Sequence, residues 1–326
     1  MRTRHVLAAG TTLAAAAALV ACDPGPSADG LSAALETIPA TEENLTMIAW
    51  TDVSAVTELG GYDEHPHPFA TAGLLGYGGL ATIYRQLDPA LLPAPGSDDA
   101  HVMSLGRPPH TAFRFDGVDG AAVQEFFAGA AGDSSDLDGG TLLVRRGDAE
   151  TDLDDDLLPP QVINQMNTVW FDDHAFIGSS QQGMVVDLVE GTGERASDAE
   201  IYAGVSDCVG EVVAAELHSG EAAAPVTSLA IGFGGDVDEP VTTLCLRTED
   251  PAALVETVRE SLGSGTDPVS QRSWQEILGG GEVAEAGDWV QVQFVDPELP
   301  EAIYRILYSG SLPALLGEEI QDPRVG

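Results

Sequence analysis

Residues 109–132, PHTAFRFDGVDGAAVQEFFAGAAG, align without gaps with residues 240–263, PVTTLCLRTEDPAALVETVRESLG, at an offset of 131 residues. In both segments apolar residues first alternate and then recur four positions apart, which predicts a strand followed by an amphipathic helix. An aspartate, Asp119 or Asp250, stands where each helix should begin, and its carboxylate can accept N–H groups of the first turn. Gly132 and Gly263 can end the helices. Such a match can arise by chance between amphipathic segments, but the shared cap and stop signals favour a duplicated unit.

A second, weaker match extends the repeat. It joins, at an offset of 119 residues, Trp170, Leu188 and Gly191 to Trp289, Leu307 and Gly310. Each triplet indicates a strand led by Trp, followed by an apolar helix that ends at Gly. The two matches predict an α+β fold of two tandem related lobes, at residues 31–197 and 198–326.

The N-terminal residues have the pattern of an export signal. Two arginines precede the apolar run 6–20, which is too short to span a bilayer comfortably. The run ends in Leu19-Val20-Ala21-Cys22, which resembles the lipobox of bacterial lipoproteins. By that resemblance residues 1–21 are a signal peptide, Cys22 carries a diacylglycerol and a further acyl chain such as palmitate, and residues 22–30 form a flexible tether. The alternative is an ordinary signal peptide with a chance cysteine.

Together with the lipobox, the segments Leu35-Glu36-Thr37-Ile38-Pro39 and Trp50-Thr51-Asp52 resemble uncharacterised lipoproteins of actinobacterial cell envelopes. The resemblance implies a lipid anchor on the extracytoplasmic face of the cell membrane. It implies no established chemistry and no functional residue beyond Cys22.

The charge balance limits the partners of the chain. There are 13 basic and 53 acidic residues, a net charge of −40, and none of the basic residues is lysine. Such a surface repels nucleic acid and anionic headgroups. It favours small cationic ligands or basic patches of envelope proteins as partners, or it serves only to keep the protein solvated. The sequence indicates no oligomeric state.

Cysteine parity predicts a disulfide bond. With Cys22 lipidated, Cys208 and Cys245 remain as an even pair in an oxidising compartment, with free buried thiols as the alternative. Ser197 has the form of a capping box and predicts a helix that carries Cys208 on its apolar face. Cys245 alternates with Leu244 and Leu246, so the bond requires this helix to lie on the sheet face opposite those leucines.

Few residues suggest a site. The chain lacks the nucleophile-elbow, phosphate-loop and H-E-x-x-H patterns, and no cofactor is indicated. The weak metal candidates are Asp63, Glu64, His65 and His67, a ligand set suited to Zn²⁺, although an exposed loop explains them equally simply. Acidic clusters at 152–156 and 236–239 favour solvated loops over Ca²⁺ sites. The remaining histidines in the predicted lobes are interpreted as isolated: His101, His110, His174 and His218.

These observations favour a non-enzymatic binding or interaction module anchored to the membrane, with its ligand in the cleft between the lobes. One alternative is a lipoprotein that binds or senses divalent cations. A second alternative is an envelope hydrolase with an unrecognised carboxylate site.

Overall fold

The computed structural model describes residues 29–62, 67–94, 97, 100–151, 157–158, 164–223, 225–295 and 301–318. Several sequence predictions therefore lie outside the described residues. These are the signal peptide 1–21, the lipid site Cys22, nearly all of the tether 22–30, three of the four metal candidates (Asp63, Glu64 and His65) and the acidic cluster 152–156.

The centre of the protein is one antiparallel sheet. Within the described residues its strands are β1 Met47–Asp52, β2 His101–Arg107, β3 His110–Asp116, β4 Asp133–Leu137, β5 Gly140–Val144, β6 Thr168–Phe171, β7 Ala175–Ser179, β8 Ala214–Ala223, β9 Val226–Gly235, β10 Pro240–Thr248, β11 Gly281–Ala286 and β12 Trp289–Val295. Their spatial order is β11-β12-β10-β9-β8-β1-β2-β3-β7-β6-β5-β4. β1 pairs with β8, so strands from both halves of the chain form a single sheet.

Helices cover both faces of this sheet. They are α1 Asp29–Thr37, α2 Glu42–Leu45, α3 Val53–Glu58, α4 Ala72–Leu75, α5 Gly120–Phe127, α6 Gln182–Glu190, α7 Val205–Val209, α8 Pro251–Ser264, α9 Trp274–Leu278, α10 Ala302–Ser309 and α11 Leu312–Leu315, with 3₁₀ segments at Gly78–Gln86, Pro89–Leu91 and Glu200–Tyr202. The predicted combination of helices with an antiparallel sheet is therefore present.

Strand alternation divides the core into two layers. One face of the sheet packs against α1, α6 and α7. The other face carries two apolar clusters, one beneath α8, α10 and α11 and one beneath α5 and the 3₁₀ segment Gly78–Gln86. We call these two the α8 cluster and the α5 cluster. Ala49 of β1 and Ala214 of β8 belong to the α8 cluster, together with residues of α3 and α4.

Both copies of the repeated segment form a strand followed by a helix. β3 leads into α5 and β10 into α8, and the helices begin at the aligned residues Gly120 and Pro251. The carboxylate of Asp119 accepts the N–H groups of Ala121 and Ala122, and that of Asp250 accepts the N–H of Ala253. The predicted capping aspartates are confirmed in both segments.

The neighbours of the two segments follow a common order. β1, β2 and β3 lie side by side, and so do β8, β9 and β10; β3 then pairs with the second strand of the hairpin β6–β7, as β10 does with the second strand of β11–β12. The hairpin β4–β5 is an addition to the first half. Both halves place their long helix, α5 or α8, on the same face of the sheet.

Two parts of the predicted repeat are wrong. The glycine stops fail because α5 ends at Phe127, before Gly132, whereas α8 continues through Gly263 to Ser264. The two tryptophans are not equivalent, because Trp170 lies on the first strand of its hairpin and Trp289 on the second, although α6 and α10 do end at Gly191 and Gly310 as the sequence predicts. The helices that follow them, α6 and α10, cover opposite faces of the sheet.

The capping box at Ser197 does not start a helix. The structure has a 3₁₀ turn at Glu200–Tyr202 and then the short helix α7, because Gly204 adopts a left-handed conformation (φ +76°) between them. Cys208 nevertheless faces the core, on the sheet face opposite Leu244 and Leu246, as the bond requires.

The predicted disulfide bond is present. Cys208 of α7 and Cys245 of β10 are joined, with their Cα atoms 6.1 Å apart. The bond ties a short helix on one face to the strand beneath it.

The two ends of the sheet carry carboxylates. The edge strand β4 exposes Asp133 and Asp136, and the edge strand β11 exposes Glu282 and Glu285. None of the helices in the described part of the chain has the length and apolar character needed to cross a membrane.

Candidate functional site

A buried acidic residue and a buried histidine lie on the face of the sheet that carries the α8 cluster and the α5 cluster. Glu216 and His218, on β8, are only 2% and 6% exposed. They alternate along the strand with Ala215 and Leu217, which pack into the opposite face. The register places Glu216 opposite Ala49 and His218 opposite Met47 of β1, at the centre of the sheet.

The partners of His218 determine its protonation. Arg107 Nη2 lies 2.9 Å from His218 Nδ1, and a guanidinium can only donate, so Nδ1 accepts. The ring proton is therefore on Nε2, which lies 2.5 Å from Glu216 Oε1 and donates to it. His218 is thus a neutral imidazole between a guanidinium and a carboxylate, with both ring nitrogens engaged.

Two tyrosines of α10 close over Glu216. Tyr308 Oη donates to Glu216 Oε1 at 2.5 Å, so the same oxygen accepts from both Tyr308 and His218. Tyr304 lies one turn earlier, with its ring centroid 4.6 Å from that of Tyr308. Desolvation, and then the negative charge of Glu216, raises the phenol pKa of both tyrosines. Both phenols are therefore neutral donors at physiological pH.

Two cavities flank this cluster. The first, about 440 Å³, is lined by Glu216 and by both tyrosines, and its remaining lining is mostly apolar: Met47, Ala49, Leu74 and Leu75 from β1 and α4 among others. The second, about 630 Å³, is lined by Arg107, His218 and Tyr308. Met47 and Tyr308 belong to both, so the two cavities form adjoining parts of one cleft.

The 3₁₀ segment Gly78–Gln86 and α4 form the first-half wall of the cleft. Residues 70–87 are mostly helical, but the run breaks between α4 and the 3₁₀ segment. The break has a steric cause: a Cβ at Gly76 would lie 2.2 Å from the carbonyl oxygen of Val102, and Gly78 adopts φ +52°. The glycines let this wall approach β2 closely and leave space above β1.

The polar side chains of the cluster hydrogen-bond to one another. His218 has no free nitrogen, and the raised pKa of Tyr308 keeps its phenol protonated. A ligand in the cleft would meet a carboxylate, an arginine, two phenol rings and apolar walls. Such a combination fixes the orientation of a small amphipathic or charged molecule.

The structure changes the interpretation of one histidine and of one carboxylate. His218 is not isolated, because Glu216 and Arg107 contact its two nitrogens. Glu216 was not singled out by the sequence, although its two-residue spacing from His218 on a strand is a signal that would have linked them. The other three histidines remain apart: His101 lies beside Trp50, His110 contacts Gln181, and His174 lies in the turn between β6 and β7.

Of the four metal candidates, His67 alone lies within the described residues. His67 Nδ1 accepts the backbone N–H of Phe69 at 3.2 Å, which holds a local turn. In the cluster 236–239, Asp236 Oδ1 accepts the N–H groups of Asp238 and Glu239. Across the described ranges, no three His, Cys, Asp or Glu side chains are grouped as metal ligands.

Comparisons with known proteins give a distant structural likeness. No protein-family model matches the chain, and no curated protein does. Crystal form I of TP0453 is similar with a TM-score of 0.42 and 10% identity, over 85% of this chain and 97% of that one. Crystal form IV of TP0453 is similar with a TM-score of 0.41 and 11% identity, over 84% and 99% of the two chains. At this level of similarity neither likeness bears on function.

Proposed function

We propose that this chain is a lipoprotein anchored to the extracytoplasmic face of the cell membrane, and that it binds a small ligand in its central cleft without enzymatic turnover. One observation carries the ligand-binding part: the buried Glu216–His218 pair lies between two adjoining cavities instead of in a packed core. A pair of buried polar groups lowers the stability of a fold unless its hydrogen bonds are all made or a bound ligand compensates for its burial.

The anchoring part is supported by the sequence alone. The run 6–20 and the lipobox ending at Cys22 favour export and lipidation, and the likeness to actinobacterial envelope lipoproteins points the same way. A disulfide bond suits an oxidising compartment outside the cytoplasm.

We also propose that residues 31–197 and 198–326 are related lobes that arose by duplication. The common strand order, the aligned starts of α5 and α8, and their capping aspartates support this. The cleft then lies where the two copies meet, along β1 and β8, and each copy contributes one wall.

The anchor is tested by Cys22→Ala in a host that processes lipoproteins. We expect the variant to lose labelling by radioactive palmitate and to leave the membrane fraction. Ser27→Ala is the matched control, because it changes a nearby residue of the same segment that the lipobox does not include, and it should label as the unchanged protein does. Labelling that persists in Cys22→Ala would contradict the lipid site.

The cleft is tested with the full-length protein and a set of small cationic, anionic and neutral compounds, observed by ligand-detected NMR. Thr82 is exposed and lines the smaller cavity, so Thr82→Trp should fill the entrance without disturbing the core. We expect at least one chemical class to bind the unchanged protein and to lose binding in Thr82→Trp. The absence of any binder that responds to this substitution would refute a ligand site in the cleft.

A further inference from the structure

We propose that the cavity of about 440 Å³ binds a small quaternary ammonium cation, held between the carboxylate of Glu216 and the rings of Tyr304 and Tyr308. The inference rests on the proposed ligand-binding function and names the ligand class of that cleft. It follows from the charge of Glu216, from the residues that line the cavity and from the net charge of the protein.

The first reason is a buried negative charge without an adjacent positive one. Glu216 is 2% exposed, and its two hydrogen-bond donors, His218 and Tyr308, are both neutral. His218 is neutral because Arg107 donates to its Nδ1, so the guanidinium lies on the far side of the imidazole ring. A buried charge is costly unless an opposite charge accompanies it. The cavity beside Glu216 is where a ligand can supply that charge.

The second reason is the aromatic wall. Tyr304 and Tyr308 both line this cavity, and their rings are 4.6 Å apart. Tyr308 is 57% exposed although its hydroxyl reaches the buried carboxylate, so its ring stands at the opening of the cleft. Cations are attracted to the faces of such rings, and quaternary ammonium groups are recognised by aromatic residues in this way.

The third reason separates a quaternary ammonium from a primary amine. A primary ammonium has three N–H donors that need acceptors. Glu216 Oε1 already accepts two hydrogen bonds, so Oε2 is the main acceptor that this carboxylate can offer to three N–H donors, and much of the remaining lining is apolar: Met47, Ala49, Leu74 and Leu75. A quaternary ammonium has no N–H group, so the same walls contact its methyl groups without leaving a donor unsatisfied.

The negative net charge of the chain also favours a cationic ligand. With 53 acidic and 13 basic residues, the protein attracts cations to its surface and raises their local concentration at a cleft. An anionic ligand would enter against that field and would meet Glu216.

The test is isothermal titration of the full-length protein with choline chloride and, separately, with 3,3-dimethylbutan-1-ol, at the same ionic strength. The alcohol has the shape of choline with a carbon in place of the charged nitrogen, so it reports apolar packing alone. We expect choline to bind at least tenfold more tightly than the alcohol. Equal affinities, or binding of the alcohol only, would overturn the proposal without the use of any variant.

Substitutions then locate the cation. Glu216→Gln keeps the shape of the side chain and removes its charge, and it should weaken choline binding at least tenfold. Tyr304→Leu should weaken it severalfold through loss of a ring face. Glu282→Gln is the matched control: it removes one carboxylate from the exposed edge strand β11 and should leave affinity within twofold. A choline affinity that Glu216→Gln does not change would contradict the assignment.

Ethylammonium chloride distinguishes the two kinds of cation. We expect it to bind at least fivefold more weakly than choline, and tighter binding of the primary amine would overturn the choice of a quaternary group. If anionic or neutral compounds bind the cleft and choline does not, the ligand class is wrong and the binding function stands. If no class binds, both fail.

Discussion

Removal of the Cys208–Cys245 bond should lower the free energy of unfolding by about 4 kcal/mol. The bond closes a loop with a sequence separation of 37 residues. In the chain-entropy treatment, a closed loop of this length costs the unfolded chain roughly 13 cal/mol/K, which is about 4 kcal/mol at 25 °C. Both cysteines are buried, so alanine substitution also removes two sulfur atoms from the core and adds to this loss.

The variant Cys208→Ala/Cys245→Ala and the unchanged oxidised protein should be compared by equilibrium urea unfolding. We expect the midpoint to fall and the urea dependence to increase, since an unfolded chain without the cross-link exposes more surface. A loss of about 4 kcal/mol corresponds to a fall in melting temperature of roughly 8–16 °C for a domain of this size. A loss below about 1 kcal/mol would refute the loop-entropy reasoning, and alkylation of both thiols without prior reduction would refute the bond itself.

Three further predictions concern charge. Asp119→Ala and Asp250→Ala should each lower the free energy of unfolding by about 1 kcal/mol in urea titrations, since each removes the cap of its helix. If one of the two variants is as stable as the unchanged protein, the two aspartates do not stabilise their helices equally. Burial raises the carboxyl pKa of Asp267, but hydrogen bonds from Ser270, Ser311 and backbone N–H groups lower it by more. Its stabilisation is therefore complete above the ordinary value of 3.8 and is lost as the pH falls through the lowered value, so Asp267→Asn should be less stable near neutrality and lose that difference in acid. The melting temperature should rise smoothly with NaCl, because the Debye length falls from about 10 Å at 0.1 M to about 3 Å at 1 M. A saturable rise with millimolar Zn²⁺ or Ca²⁺ at matched ionic strength would instead indicate a metal site.

Local signals in the sequence predicted the units of this fold well. The capping aspartates Asp119 and Asp250 act on N–H groups two or three residues away, so the segments that contain them carry all the information required. The even number of cysteines that remain after Cys22 was enough to predict the bonded pair, without any knowledge of the structure. Some local signals failed, namely the glycine stops and the capping box at Ser197. Other features depend on distant contacts: the break at Gly76 depends on the carbonyl of Val102, which only the folded sheet brings within contact.

The residues that form the cleft could not be identified from the sequence, again because they are far apart along the chain. Along β8, Leu217 indicates one buried face, and the alternating Glu216 and His218 would ordinarily be assigned to solvent. In the structure both faces are covered, and the donor that reaches Glu216 is Tyr308, 92 residues further along the chain. Pairing between such distant residues leaves no local pattern in a single sequence.

The acidic edge strands β4 and β11 oppose the association of copies of this protein at high local concentration. The proposed lipid anchor would confine the molecules to two dimensions, where the open edges of neighbouring sheets meet often. Strand addition between copies would bring Asp133 and Asp136 of one edge against similar carboxylates of another, and the like charges oppose it. Replacement of Asp133 and Asp136 by asparagine would remove this repulsion at β4, so copies that otherwise remain dispersed should begin to associate through that edge.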